Sequence, residues 1–151
     1  MKSFILTLFL FFISTFKVES QSYGNEWIDY SQKYFSFPIL KTGIHKIDYN
    51  VLNDAGVPLS SVNSDNFQVF GRDKEIPLFI EDGGDSSFDS GDYILFFAEK
   101  NDGWLDSTLY EDSTWIGNPN YSLFNDTIYY FISWNNSSNN LRFLESFDND
   151  F

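Results

Sequence analysis

Two short runs of aromatic and β-branched residues constrain this chain more than any other feature. Residues 92–98 read Asp-Tyr-Ile-Leu-Phe-Phe-Ala, and residues 128–134 read Ile-Tyr-Tyr-Phe-Ile-Ser-Trp. Each run is too short for a stable helix and too rich in phenylalanine, tyrosine and isoleucine for a loop. Both are therefore predicted to be strands with at least one buried face. They indicate a packed β domain, and they do not identify an enzymatic reaction.

The first 20 residues are predicted to be a secretory signal peptide, with a short membrane anchor as the alternative. Lys2 supplies the positive end, residues 4–16 are almost wholly apolar, and the small residue Ser20 stands at the expected cleavage point. The apolar run is too short to span a bilayer comfortably. The remaining residues, 21–151, suit one β-rich domain.

Cysteine content and charge exclude several classes of function. The chain has no cysteine, so it has no thiol nucleophile, and an exported domain of this size must be held by its core, a neighbouring domain or an ion. Its net charge of −13 excludes electrostatic binding of nucleic acid or of an anionic membrane surface. The acidic balance indicates either a solvated exported surface, or calcium binding or docking to a basic partner.

Further short strands with turn signals between them predict an all-β, β-sandwich-like domain. The runs 34–39 and 44–47 are interpreted as a hairpin around a turn at Thr42 and Gly43. Residues 67–70, 76–80 and 141–144 are the other predicted strands. One short helix is expected around Val51, with Asp48 as its N-cap and Gly56 as its stop.

Two candidate sites have plain structural explanations beside the functional ones. The acidic segment 82–92 carries oxygen ligands suited to calcium, but it lacks the ligand spacing of an EF-hand loop, and aspartate and glycine are also typical of tight surface turns. His45 is the sole histidine, and the sequence offers it no catalytic partner. We expect it to be an exposed strand or turn residue. No cofactor or metal is predicted.

The connection 101–124 is the candidate interaction site. It is long for a link inside a compact domain, yet its spread of aromatic and aliphatic residues is unlike a disordered segment. The predicted docking residues are Asn101, Asp102, Gly103, Trp104, Asp106 and Tyr110. The structural alternative is an ordinary turn whose aromatic rings pack on the domain itself, and the rings of Trp104, Tyr110 and Trp115 also suit stacking on sugars.

An ordered series of short motifs goes beyond composition. In chain order it comprises Gly43-Ile44-His45-Lys46-Ile47, Gly71 with Ile76-Pro77, Asp92-Tyr93-Ile94 with Phe96, Asn101-Asp102-Gly103 with Asp106, Leu109-Tyr110, Asn118-Pro119, Tyr121-Ser122-Leu123-Phe124, Asp126-Thr127, Tyr130-Phe131 and Trp134. This series resembles the N-terminal region of the PorU-type sortases of the type IX secretion system, which are gingipain-like cysteine peptidases. The resemblance covers the chain from Trp27 onward.

The resemblance implies a non-catalytic domain that precedes a peptidase domain with a Cys/His dyad. Such sortases remove the C-terminal sorting signal of exported cargo at the outer membrane. The chain is then expected to be a fragment of a longer protein, located in the periplasm or at the cell surface of a Gram-negative bacterium. Its partners would be the C-terminal peptidase domain and other secretion-system subunits, with no nucleic acid and no membrane insertion after signal cleavage. The alternative is an independent exported β-sandwich that binds glycan.

Overall fold

The computed structural model describes residues 24–118, 120–136 and 139–144, and in them the predicted all-β, sandwich-like fold is confirmed. Two antiparallel sheets are formed by seven strands: β1 (Phe35–Ile39), β2 (Gly43–Asp48), β3 (Phe67–Gly71), β4 (Lys74–Ile76), β5 (Leu78–Glu81), β6 (Tyr93–Ala98) and β7 (Ile128–Trp134). Sheet 1 has the order β1-β7-β3-β4, and sheet 2 has the order β2-β6-β5. The predicted leader, residues 1–20, lies outside the described residues.

The core lies between the two sheets and is built by alternation along the strands. In β6, Ile94, Phe96 and Ala98 are buried, whereas Leu95 is half-buried and Phe97 is exposed. Ile132 of β7 is opposite Val69 of β3, so the central strands of sheet 1 present apolar side chains to the same layer. Burying such side chains stabilises the fold by roughly 1.5–3 kcal/mol each.

The short helix is found where the sequence predicts it. The α-helix α1 spans Tyr49–Asp54, and the Asp48 carboxylate accepts a hydrogen bond from the Val51 amide at 3.2 Å. This bond satisfies one of the amide groups that a helix leaves unpaired at its first turn. Gly56 follows with a φ of 81°, a conformation that favours glycine and ends the helix. Short 3₁₀ turns occur at Leu59–Ser61, Ser64–Asn66, Asp106–Leu109 and Ser113–Trp115. Among the described residues, no helix has the length and apolarity needed to cross a membrane.

The predicted hairpin of the first two strands is wrong. Both strands exist, but β1 pairs with β7 in sheet 1 and β2 pairs with β6 in sheet 2. Thr42 and Gly43 therefore lie on a crossing between the two layers of the sandwich. The apolar pattern of a strand fixes which face is buried and leaves the choice of neighbour open. Here both neighbours come from distant parts of the chain.

The strand predicted at residues 76–80 is divided at Pro77. Ile76 ends β4 in sheet 1, and Leu78 begins β5 in sheet 2. Proline has no amide hydrogen to donate to a strand ladder, so the ladder ends there and the chain moves to the other sheet. The predicted strand at 141–144 is reduced to a single parallel bridge between Leu78 and Arg142.

The N-terminal segment covers part of the outer face of sheet 1, around Phe70 and Phe131. The Trp27 ring stacks on Phe70 with centroids 5.2 Å apart and lies 5.4 Å from the ring of Phe131. Tyr34 meets Phe70 edge to face at 5.8 Å. Sheet 1 is thus packed on both sides, by sheet 2 inside and by this aromatic cluster outside.

Candidate functional site

A two-residue turn between β3 and β4 places an arginine beside the start of the predicted docking connection. Arg72 and Asp73 both adopt positive φ, 52° and 61°. Two such residues make the turn whose twist matches that of antiparallel strands. Neither is glycine, so the turn stores backbone strain of about 1–3 kcal/mol per residue that the surrounding contacts must offset.

Arg72 joins the two sheets through two carboxylates. Its Nη1 donates to Glu99 at 2.7 Å and its Nη2 donates to Asp102, and both acids follow β6 of sheet 2. The Arg72 side chain is only 15% exposed, so these ion pairs are better shielded than ordinary surface pairs. Burial works to raise the pKa of Asp102, but the hydrogen bond and charge of Arg72 outweigh it and lower that pKa.

Tyr130 and Gly71 pack beside Arg72 and help to fix its position. The Tyr130 hydroxyl accepts a hydrogen bond from the Glu99 amide at 3.1 Å, and burial raises the pKa of this phenol. The Tyr130 ring lies against the backbone of Gly71, where an added Cβ would come within 2.2 Å of a ring carbon. Only glycine fits beneath the ring, so the residue before Arg72 is fixed by packing.

The predicted docking residues at the start of the connection form a compact turn around this arginine. The Asn101 side chain accepts from the Gly103 amide at 3.1 Å, and the Asp102 carboxylate accepts from the Trp104 amide at 3.1 Å. The Trp104 ring lies 5.6 Å from the Arg72 guanidinium, a cation–π contact. The Asp106 amide donates to the Gly103 carbonyl at 2.8 Å.

Five of the six predicted residues are thus brought together: Asn101, Asp102, Gly103, Trp104 and Asp106. Tyr110 is separate. It follows the 3₁₀ turn Asp106–Leu109 and is half-buried.

The two ends of the connection are tied to each other. Lys100 and Asp126 form an ion pair at 3.2 Å, and the Asn101 amide donates to the Asp126 carbonyl at 3.1 Å. Further in, the Asp106 carboxylate accepts from the Ser122 hydroxyl at 3.0 Å and from the Leu123 amide at 3.3 Å. The connection is therefore a closed loop with a defined base.

Several apolar side chains beyond that base face solvent. Six apolar residues in the connection are each more than half exposed: Leu105, Leu109, Trp115, Tyr121, Leu123 and Phe124. Exposed single hydrophobic residues are ordinary, but a loop that holds so many on a fixed base is a candidate interaction surface. Next to it lies a groove of about 300 Å³ lined by residues that include Trp27, Arg72, Trp104, Leu105 and Tyr129.

Several carboxylates elsewhere in the described chain serve turns. In the segment 82–92, Asp82 accepts from the Ser64 hydroxyl and from the Gly84 amide, and Asp85 accepts from the Ser87 amide at 2.8 Å. The Ser64 hydroxyl is the main cause of the lowered pKa of Asp82. Among the described residues, no group of three or more potential metal ligands is found.

His45 is less exposed than predicted. It lies in β2, where its ring is half-buried and stacks on Phe96 with centroids 5.8 Å apart. Its Nε2 lies 2.8 Å from the Lys41 carbonyl. Position 45 points toward the sandwich interior, because its cross-strand neighbour Phe96 is a core residue. The ring is a packing element at the edge of the core.

Sequence reasoning missed Arg72. The turn at residues 71–75 is visible in the sequence, but the partners of its arginine lie 27 and 30 positions away.

The exposed face of sheet 2 was also missed. There the sequence did carry a signal, because the consecutive apolar residues Leu95, Phe96 and Phe97 place apolar side chains on both faces of β6.

Comparison of the chain with protein-family models, with curated proteins and with solved structures finds no match. The relation to type IX secretion sortases therefore remains a prediction that rests on the ordered motifs in the sequence.

Proposed function

We propose that this chain is the exported, non-catalytic N-terminal domain of a type IX secretion system sortase. In this proposal the domain packs through the connection 101–124 against a gingipain-like peptidase domain of the same protein, and that domain processes the sorting signal of cargo at the outer membrane. Two arguments support it: the resemblance described above, and a loop that is closed at its base yet exposes its apolar side chains.

The closed base is the observation that carries the proposal. A flexible loop that docks on a partner loses conformational freedom on binding, which costs about 1–2 kcal/mol per ordered residue. The hydrogen bonds from Asp106 to Ser122 and Leu123, and the ion pair of Lys100 with Asp126, already order this loop at its base. Burial of Leu109 or Trp115 against a partner then contributes to binding with a smaller entropic cost.

The polar groups of the site support a structural role over glycan binding or catalysis. A sugar site needs carboxylates or amides free to bind hydroxyl groups beside an aromatic ring. Here Asp102 is paired with Arg72, Asp106 is bonded to Ser122 and Leu123, and the Trp104 ring lies over the arginine. These groups hold the loop in shape.

The first test is the open reading frame. We expect it to continue past Phe151 into a domain with a Cys/His peptidase dyad. The second test is hydrogen exchange of residues 101–124 in the chain alone and in the longer protein. Slower exchange in the longer protein, by at least about tenfold, is expected if the loop is buried there.

A matched pair of variants identifies the surface. Leu109→Asp is expected to undock the two domains, because a charge in an apolar interface is costly. Limited proteolysis would then show faster cleavage of the longer protein. Leu144→Asp, at a 92% exposed leucine beside β5, is the control and is expected to change nothing. Equal exchange in both forms, or equal effects of both variants, would contradict docking through this loop. Binding of sugars by the isolated domain, lost in Trp104→Ala, would instead favour the glycan alternative.

A further inference from the structure

The outer face of sheet 2 carries apolar residues on all three of its strands. The register places Ile44 of β2 opposite Phe97 of β6, and Leu95 of β6 opposite Phe79 of β5. Ile44, Phe97 and Phe79 are 63%, 45% and 42% exposed. Antiparallel sheets usually carry polar residues on their solvent face, so a connected apolar face indicates a surface that is covered by something else.

Lys46 and Tyr93 also lie on this face, and the acidic residues Asp48 and Glu81 flank Tyr93 at one end of it. Lys46 is opposite Leu95 in the register, and its ammonium group lies 4.2 Å from the centroid of the Tyr93 ring. The Phe79 and Tyr93 rings lie 6.4 Å apart. The face is thus an aromatic and aliphatic surface with one lysine fixed in its middle by a cation–π contact.

Among the residues that the structure describes, no strand pairs with the outer side of β2, so this strand is an open edge beside the face. Sheet 2 ends at β2 on one side and at β5 on the other. The edge of β5 is already used, because the Leu78 amide donates to Leu141 at 3.2 Å and the Phe143 amide donates to Leu78 at 2.9 Å. In sheet 1 the edge strand β1 contains Pro38, and the edge strand β4 has only three residues. These are devices that discourage further strand pairing.

By contrast, β2 has six residues and contains neither a proline nor an internal glycine. Its alternate backbone groups face away from β6, as in any edge strand.

Positive charge gathers along the first part of this edge, from Lys41 to Lys46, and Asp48 follows at its end. Three of the nine lysine and arginine residues lie along it. Lys41 precedes β2, Lys46 is within it, and the Lys100 amide donates to the Thr42 hydroxyl at 3.1 Å. Lys100 is paired with Asp126, whereas Lys41 and Lys46 are exposed to solvent. A partner here is favoured if it is acidic.

We propose that β2 accepts an extended, acidic peptide segment of another protein as an additional antiparallel strand of sheet 2. The added strand would place an apolar side chain beside Ile44 and an acidic side chain beside Lys46, because side chains on one face of adjacent strands meet across the ladder. This surface differs from the connection 101–124, so the inference stands independently of the proposed domain docking.

A second copy of this chain is a poorer occupant. Two chains of net charge −13 repel each other, and antiparallel pairing of β2 with itself about Lys46 brings two like charges together. A segment with glutamate or aspartate between apolar residues can pair with the backbone of β2 and also place negative charge beside the lysines.

The test uses the purified protein and a capped peptide of about eight residues, which is a usual strand length. Every second residue of the peptide is valine, and the positions between are phenylalanine and glutamate in turn. Binding is followed by NMR amide shifts and by hydrogen exchange of residues 43–48. We expect shifts confined to β2 and the outer face of sheet 2, with slower exchange of alternate β2 amides. The same peptide with N-methyl groups on its ladder-facing amides is expected to lose binding, because those amides donate the new hydrogen bonds.

Charge exchange supplies the matched control. Lys46→Glu is expected to weaken binding of the glutamate peptide by about fivefold, since cross-strand charge pairs contribute up to about 1 kcal/mol. The same variant is expected to bind a peptide with lysine in place of glutamate more tightly. Leu109→Asp, on the other proposed surface, is expected to leave peptide binding unchanged.

Equal binding of the N-methylated peptide, or shifts that map outside sheet 2, would overturn the proposal. Self-association through β2 in sedimentation experiments would overturn it in favour of a second copy.

Discussion

The outer faces of the two sheets carry similar aromatic residues, but they differ in whether the chain itself covers those residues. On sheet 1, Phe70 and Phe131 are covered by Trp27 from the chain's own N-terminal segment. On sheet 2, Phe97 and Phe79 remain 45% and 42% exposed in the part of the chain that the structure describes. A strand with apolar side chains on both faces therefore indicates two packing neighbours. One of them is the core, and the other is either the same chain or a partner.

The two faces should differ most in what their aromatic residues contribute to folding. Trp27→Ala is expected to lower the free energy of unfolding by about 3 kcal/mol, because it removes the ring that packs on both Phe70 and Phe131. The value is at the lower end of the range for a buried tryptophan, since Trp27 is half-buried. Urea unfolding followed by circular dichroism measures the change.

The matched substitution on sheet 2 is Phe97→Ala. Its ring is almost half exposed, so we expect a loss below about 1 kcal/mol. If Phe97→Ala were as destabilising as Trp27→Ala, both outer faces would contribute equally to folding. The contrast between a covered and an uncovered face would then be abandoned.

Arg72 joins the two sheets, and its contribution to stability can be measured. Arg72→Met keeps an apolar stem but removes the bonds to Glu99 and Asp102, which lie beyond β6 of sheet 2. We expect a loss of about 2 kcal/mol, less than for a fully buried ion pair because both acids are partly exposed. Lys74→Met, at an exposed position two residues along, is the control and should change stability by less than about 0.5 kcal/mol. Similar losses in the two variants would show that the arginine contributes only surface charge.

Strand positions could be predicted from the sequence because local pattern determines them. The runs at 67–70, 92–98 and 128–134 all form strands, and Asp48 caps the predicted helix. Pairing could not be predicted. β1 and β2 are separated by only a few residues, yet each pairs with a strand far along the chain. Choice of neighbour depends on the whole core, which no short window of sequence contains.

The candidate site was predictable in part for the same reason. Asn101, Asp102 and Gly103 form a turn that local chemistry specifies, and the structure places a turn there. The arginine that holds this turn comes from the β3–β4 turn, 30 positions from Asp102. A contact of that kind arises from the packing of the two sheets and leaves no periodic signal in the sequence.

Acid should weaken the junction of the sheets at the end opposite to Arg72. There the buried Ser64 hydroxyl, before β3, donates to Asp82, just after β5, and lowers the pKa of that carboxyl. A lowered folded-state pKa gives stability that is present above the unfolded pKa of about 3.9 and is lost as pH falls through the folded value. Asp82→Asn is therefore expected to cost about 1 kcal/mol at neutral pH, with the difference shrinking below pH about 4. Asp85→Asn is the control from the same loop. A pH-independent cost in Asp82→Asn would show that the carboxylate's charge is not what Ser64 stabilises.

The smallest expected effect on stability is also the most direct test of the uncovered face. Phe79→Thr replaces an exposed ring of β5 with a residue that favours strands, so the free energy of unfolding should change by less than about 0.5 kcal/mol. Binding of an apolar fluorescent dye should nevertheless fall, because the connected surface of Phe79, Leu95 and Phe97 is interrupted. Tyr129→Thr, at an exposed ring of sheet 1, is the control with a similar change of size. If both variants lowered dye binding equally, the dye would report exposed rings in general. If only Phe79→Thr lowered it, the outer face of sheet 2 is one continuous apolar surface that is available to a partner.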